Sequence, residues 1–167
     1  VLALARLDAR LERPERQPID LGALLDELER RWRRVAALRQ LKLVVEREPA
    51  LPLLLGDPRG LADAIDNVVE NALRHARDGG LVRVVALRDG AGVALRVEDD
   101  GPGIADADRR RLFERFYRGE RARSSGSGSG LGLAIARAGA LAAGGTIELA
   151  ASSPAGSVFL FRLPGAS

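Results

Sequence analysis

Cysteine is absent from the 167 residues, so neither a disulfide framework nor a thiolate metal site can be built. Histidine occurs once, at His75, which removes multi-histidine zinc sites and leaves little room for a Ser-His-Asp triad. Lysine also occurs once. Lys42 is flanked by Leu41 and Leu43 instead of glycines, which excludes a Walker-type phosphate loop. Aromatic residues make up 4% of the chain, too few to interleave with cations as a base-stacking surface, and nucleic acid is not an expected partner. No apolar run approaches the roughly 20 residues that cross a bilayer, and no signal peptide opens the chain, so a soluble protein is expected.

What is present fits one domain with a short appendage. Hydrophobic residues account for 46% and charged residues for 29%, enough apolar material for a core without staples. Basic and acidic residues number 26 and 23, a net charge of +3. Arg30, Arg31, Arg33 and Arg34 cluster on one helical segment and Arg109 to Arg111 form a second run. Carboxylates are interleaved with both, so each reads as a solvated face.

Val1 to Leu11 has helical spacing and reads as the end of a helix, broken by Pro14 and Pro18. Asp20 is placed to cap a second helix with the stripe Leu21, Leu24, Leu25 and Leu28. A strand over 41–46 and a short apolar run over 53–55 follow. Asp57 and Pro58 then start a helix predicted to run to about Arg77. Val82 to Arg88 and Val93 to Asp99 alternate around Asp89-Gly90-Ala91-Gly92, an antiparallel hairpin signal. The stretch 101–130 is irregular apart from a short helix expected around Asp108 to Phe116. A helix over 131–143 ends at Gly144-Gly145, and strands over 146–151 and 157–163 close the chain. This order predicts an α+β two-layer sandwich, a mixed, mostly antiparallel sheet of about five strands packed on three helices.

Four local patterns carry chemistry. On the helix after Pro58, Leu61, Ile65, Val68 and Ala72 mark a core face, while Asp63, Asn67, Glu70, Asn71 and Arg74 share another stripe. That stripe is either a solvated face or a place where amide oxygens ligate a hard cation. Glu98-Asp99-Asp100-Gly101-Pro102-Gly103-Ile104 ends a strand in carboxylates and glycines. It is either an ordinary Asp-Gly turn or a fixed acceptor for an exocyclic amine such as adenine N6. Gly126-Ser-Gly-Ser-Gly-Leu-Gly-Leu133 leads into a helix, as a flexible linker or as a lysine-free anion cradle at a helix start. It fits G-x-G-x-x-G in no register. Leu112-Phe-Glu-Arg-Phe-Tyr-Arg118 holds half of the chain's aromatic residues. It either pins a loop to the core or presents Arg115 or Arg118 to a phosphate from a movable lid.

In this order, Asn-x3-Asn, Asp-x-Gly-Pro-Gly, Phe-x-Arg-Phe and Gly-x-Gly-Leu-Gly-Leu, the series resembles the catalytic ATP-binding domain of bacterial sensor histidine kinases, over about Ile19 to Pro164. The resemblance implies the ATPase fold of that family, residues 1–18 as the end of a dimerisation helix and linker, and residues 19–167 as the catalytic domain with a lid at about 105–130. It implies ATP and Mg²⁺ as cofactors. Asn71, with Asn67, would hold the metal and Asp99 would take the adenine. Gly101, Gly103 and Ile104 would shape the pocket, and Gly128, Gly130, Leu131, Gly132 and Leu133 would flank the phosphates. Arg74 stands where a lysine facing the phosphates is common, and His75 stands where an aromatic is common. Both are therefore expected in the nucleotide pocket, as is Tyr117. Arg115 and Arg118 would offset charge on the γ-phosphoryl group, and Glu70 is a candidate base.

The family's phospho-accepting histidine lies in a His-Glu or His-Asp context, whereas His75 precedes Ala76 within the nucleotide helix. The expectation is a phosphoryl donor without its own acceptor. Its expected partners are a dimerisation domain of the same protein and a response-regulator receiver domain. The whole protein is expected to be a membrane-anchored homodimer with this monomeric part in the cytoplasm. An anti-sigma-factor-type protein serine kinase and a non-catalytic nucleotide-binding module are the alternatives.

Overall fold

Asp20 holds an extended conformation and its carboxylate accepts the Ala23 N–H at 3.0 Å, satisfying a donor that the first helical turn would leave orphaned. Helix α1 (Leu21–Leu38) follows, burying Leu21, Leu25, Leu28 and Ala36. In the computed structural model, residues 15–119, 123 and 128–166 are described. The helix expected over Val1 to Leu11, with Pro14, lies outside them. Pro18, read above only as a breaker, belongs to strand β1 (Gln17–Ile19), which lies across the boundary expected between residues 18 and 19. Proline is tolerated there because the strand is short and its ladder small. Strand β2 (Lys42–Arg47) comes next, and β3 (Leu54–Gly56) pairs antiparallel with β1.

Helix α2 (Pro58–His75) starts as its sequence predicts, with Pro58 in the first turn and the Asp57 carboxylate accepting the Arg59 N–H at 3.0 Å. Leu61, Ile65, Val68 and Ala72 are buried, and Ala64, Val69 and Leu73 widen the stripe. Full burial of each large aliphatic side chain contributes about 1.5–3 kcal/mol. The helix ends two residues before Arg77 because Ala76 leaves helical geometry (ψ 148°) and the Asp100 carboxylate captures the Arg77 N–H at 3.1 Å. Asp66 on α2 ties the helix to α1, accepting from Trp32 Nε1 at 2.7 Å and Arg31 at 2.9 Å.

Strands β4 (Leu81–Asp89) and β5 (Gly92–Asp99) form the expected hairpin. Its turn is tighter than read, Gly90-Ala91 alone, because Asp89 and Gly92 are themselves paired. The short helix α3 (Asp106–Arg109) begins two residues before its expected position and closes after one turn. Helix α4 (Gly132–Ala142) leads to β6 (Thr146–Ser153) and β7 (Gly156–Leu163). The main sheet has the order β2-β4-β5-β7-β6, with β2 and β4 parallel and every other neighbouring pair antiparallel.

Alternation splits the sheet into two faces. Val82, Val84, Ala86, Val93, Leu95, Val97, Phe159 and Phe161 turn inward to a core that includes buried side chains of α1, α2 and α4. The other face carries ion pairs such as Arg83 to Glu46 at 3.0 Å and Arg162 to Asp89 at 2.9 Å. This is the expected two-layer α+β sandwich. α4 lies close on α2: a Cβ added to Gly139 would fall 2.6 Å from both the Gly60 carbonyl oxygen and Ala64 Cβ. That approach brings the start of α4 alongside the asparagine-bearing face of α2.

Candidate functional site

Asp99 ends β5 in the middle of the sheet, where its neighbours are fixed by two ladders: it pairs with Val82 on β4 and Ser157 on β7. Its Oδ1 accepts the Gly101 N–H at 2.8 Å. Burial pushes the Asp99 carboxyl up to about 6; the N–H groups of Gly101 and Ser157 oppose the rise and the neighbouring Asp100 charge adds to it. A half-buried carboxylate that still has acceptor capacity is suited to an amine donor such as the N6 group of adenine.

The turn after Asp99 packs in two directions. A Cβ on Gly101 would lie 2.3 Å from the His75 carbonyl oxygen at the end of α2. Gly103 has φ +79°, and a Cβ there would lie 2.2 Å from the Ser153 carbonyl oxygen. Both positions therefore need glycine. The Ile104 N–H donates to Ser152 Oγ at 2.7 Å, and Ser152 Oγ lies 3.3 Å from the buried Ser157 Oγ. The end of the β6–β7 hairpin is thus a back wall for the Asp-x-Gly-Pro-Gly turn. Apart from Gly156, nothing in the local sequence of residues 152–157 marks this role. The one available signal was Gly156, where a Cβ would fall 2.0 Å from the Asp99 carbonyl oxygen.

On α2, the Asn67 amide donates to the Asp63 carbonyl oxygen at 2.7 Å, and Asn67 Oδ1 would lie 3.1 Å from a Cβ on Gly132. Asn67 therefore faces the first residue of α4, where free backbone N–H groups collect. Asn71, half-buried, follows one turn later. Arg74 pairs with the exposed Glu70 at 3.2 Å, and a Cβ on Gly128 would lie 2.9 Å from the Arg74 guanidinium. The start of the glycine-serine run, 124–127, lies outside the described residues. Gly130 (φ +74°) accepts the Phe116 N–H at 2.9 Å and joins the two flanks of the irregular stretch.

Leu131 is buried with Ile135, and Leu133, half-buried, packs on the main core. Of the three aromatics in the Phe-x-Arg-Phe-Tyr segment, Phe113 anchors to the core, edge-on to Phe159 with ring centroids 6.2 Å apart. Phe116 is 59% exposed and adopts φ +63°. The Tyr117 hydroxyl donates to Asp108, and the Arg111 guanidinium lies 4.4 Å over its ring. Arg115 and Arg118 line a cavity of about 410 Å³ together with Arg111, Phe116, Tyr117 and Arg123.

Around Asp99 and Asn67 the structure therefore gathers a strand-end carboxylate, a glycine turn, an asparagine face and a glycine-led helix start. Fold and site together define an ATP-binding domain of the α+β sandwich type. The sequence profile described as Histidine kinase-, DNA gyrase B-, and HSP90-like ATPase matches residues 56–167. The sensor-type histidine kinase PrrB of Mycobacterium tuberculosis is 39% identical over 152 residues, which are 90% of this chain and 32% of PrrB. The solved ATP-binding domain of PrrB superposes with a TM-score of 0.70 at 32% identity, covering 92% of this chain and 100% of that domain. The mycobacterial sensor histidine kinase MprB gives a TM-score of 0.74 at 34% identity, covering 89% of this chain and 97% of that one. The chain belongs to this ATPase family, as a catalytic ATP-binding domain of the sensor histidine kinase type. It spans about a third of the length of the curated relatives it matches.

Proposed function

We propose that the domain binds ATP with Mg²⁺ and presents the γ-phosphoryl group to a histidine on a dimerisation domain of the same protein, for later transfer to an aspartate of a response regulator. The observation that carries the reading is the placement of Asp99 at the end of the central strand, with its glycine turn against α2 and Asn67 opposite Gly132. Support for histidine over serine as acceptor comes from the relatives, which are named as sensor histidine kinases.

Among the described residues no group of three or more His, Asp or Glu side chains could hold a metal unaided. Two neutral amide oxygens on one helix face suit a Mg²⁺ ion that keeps waters and takes its remaining ligands from phosphates. Asn67 and Asn71 would hold it, and when bound it would neutralise charge shared between the phosphates. Asp99 orients the adenine by accepting its amine. The backbone N–H groups at the start of α4 receive phosphate oxygens, and Arg74 adds positive charge beside them. Arg115 and Arg118 offset charge on the group being transferred, while closure of the 105–130 segment excludes water. Glu70 pairs with Arg74 through Oε1, which leaves its second oxygen as the candidate base. The reading includes a cytoplasmic domain, because ATP is held there, a receiver domain as the downstream partner and a membrane-anchored homodimer as the whole protein.

The test incubates the domain with ATP, Mg²⁺ and a separately produced dimerisation domain. Acid-labile phosphate on histidine is the expected product; acid-stable phosphoserine, or no transfer, overturns the proposal. Calorimetry on Asn71→Ala should show ATP binding that no longer depends on Mg²⁺, and magnesium titrations that overlay those of the unmodified domain would remove the metal assignment.

A further inference from the structure

Asp100, the second carboxylate of the strand end, turns away from the role given to Asp99. Its Oδ1 accepts the Arg77 N–H and its Oδ2 the Leu81 N–H, each at 3.1 Å. These donors stand at the two ends of the loop that carries the chain from α2 to β4, and the Gly80 N–H closes that loop on the Arg77 carbonyl oxygen at 2.8 Å. The carboxylate can bridge them only because residue 80 lacks a side chain: a Cβ there would lie 2.5 Å from both Asp100 oxygens. Arg77 then extends the tie, its guanidinium donating to the Pro154 carbonyl oxygen at the tip of the β6–β7 hairpin. One residue further on, Gly101 abuts the His75 carbonyl oxygen.

We infer that Asp100 is a positioning residue for nucleotide recognition: by stapling the exit of α2 to the end of β5, it sets the separation between the asparagine face and the Asp99 carboxylate. The inference rests on the nucleotide reading above and adds to it a residue that touches no ligand. Each oxygen serves one backbone N–H, so asparagine, with a single acceptor oxygen, keeps half of the staple and alanine none.

Asp100→Ala and Asp100→Asn are compared with the unmodified domain for binding of ATP and of inosine triphosphate, which lacks the amine that Asp99 would accept. Thermal melting is followed in parallel. In Asp100→Ala, ATP affinity should fall about tenfold, with a smaller loss for inosine triphosphate, so that the preference for adenine narrows. Asp100→Asn should lie between. Equal losses for the two nucleotides, or no loss, overturn the inference, because a merely structural carboxylate would weaken the pocket without changing its choice of base. If Asp100→Ala fails to fold, the same comparison on Asp100→Asn decides. An unmodified domain that binds neither nucleotide refutes the nucleotide reading instead, a result distinct from either outcome for the variants.

Discussion

Replacing Asp99 by asparagine should stabilise the ligand-free domain at neutral pH while removing its grip on adenine. The Asp99 carboxyl has an ordinary value of 3.8 and is raised by burial to about 6 in the folded chain. The folded state therefore binds the proton more tightly than the unfolded state. Well below pH 3.8 both states are protonated and there is no cost. Between about 4 and 6 the unfolded chain ionises first, so stability falls as pH rises, and the cost is complete above about 6. At 1.36 kcal/mol per unit, the gap amounts to about 3 kcal/mol. Asparagine keeps an oxygen for the Gly101 N–H and carries no charge. Urea unfolding of the two proteins should give similar midpoints at pH 4, with Asp99→Asn gaining about 3 kcal/mol over the parent by pH 7.5. Calorimetry with ATP should detect no binding to the variant. A stability difference that stays constant across that pH range would refute the argument, because it would mean the carboxyl titrates alike in both states.

Two further substitutions probe the frame around the site. Gly103→Ala must adopt a positive φ and meet the Ser153 carbonyl oxygen. A loss of about 3 kcal/mol in urea unfolding is expected, and a loss below the error of the fit would contradict the close approach. Asp66→Ala leaves Trp32 Nε1 without its acceptor and breaks the tie between α1 and α2. It should cost about 2 kcal/mol while ATP affinity, read by calorimetry, stays unchanged.

Much of this architecture was legible in the sequence because its signals are local. Asp20 and Asp57 are helix caps in the structure as in the reading, and the stripe Leu61, Ile65, Val68 and Ala72 is buried as its spacing predicts. The five strands of the main sheet follow from alternation and turn residues, with boundaries displaced by one or two positions. What could not be read was long-range. Strand β1 exists because Gln17–Ile19 finds β3 almost forty residues later, and no periodicity in three residues reveals that. The same holds at the site. Asp99 and Asp100 are adjacent in sequence and similar in chemistry; only the loop from α2, folding back to offer the Arg77 and Leu81 N–H groups, gives them different tasks. Ser152 and Ser157 carry no signal in the sequence, because a serine in a strand gains a role only when the Ile104 N–H is placed beside it. In the aromatic segment one composition covers three environments: Phe113 against the core, Phe116 exposed, and Tyr117 bonded to Asp108.

The strand order β2-β4-β5-β7-β6 puts Asp99 on the middle strand, with a partner hydrogen-bonded on each side. Amide protons of such a strand exchange with solvent only through the largest openings of the native state. Asp99 is thereby tied to the slowest-opening part of the molecule, whereas Arg115 and Phe116 lie in turns between α3 and α4. On the proposed reading, discrimination among bases should survive mild denaturant that already weakens the hold on the phosphates.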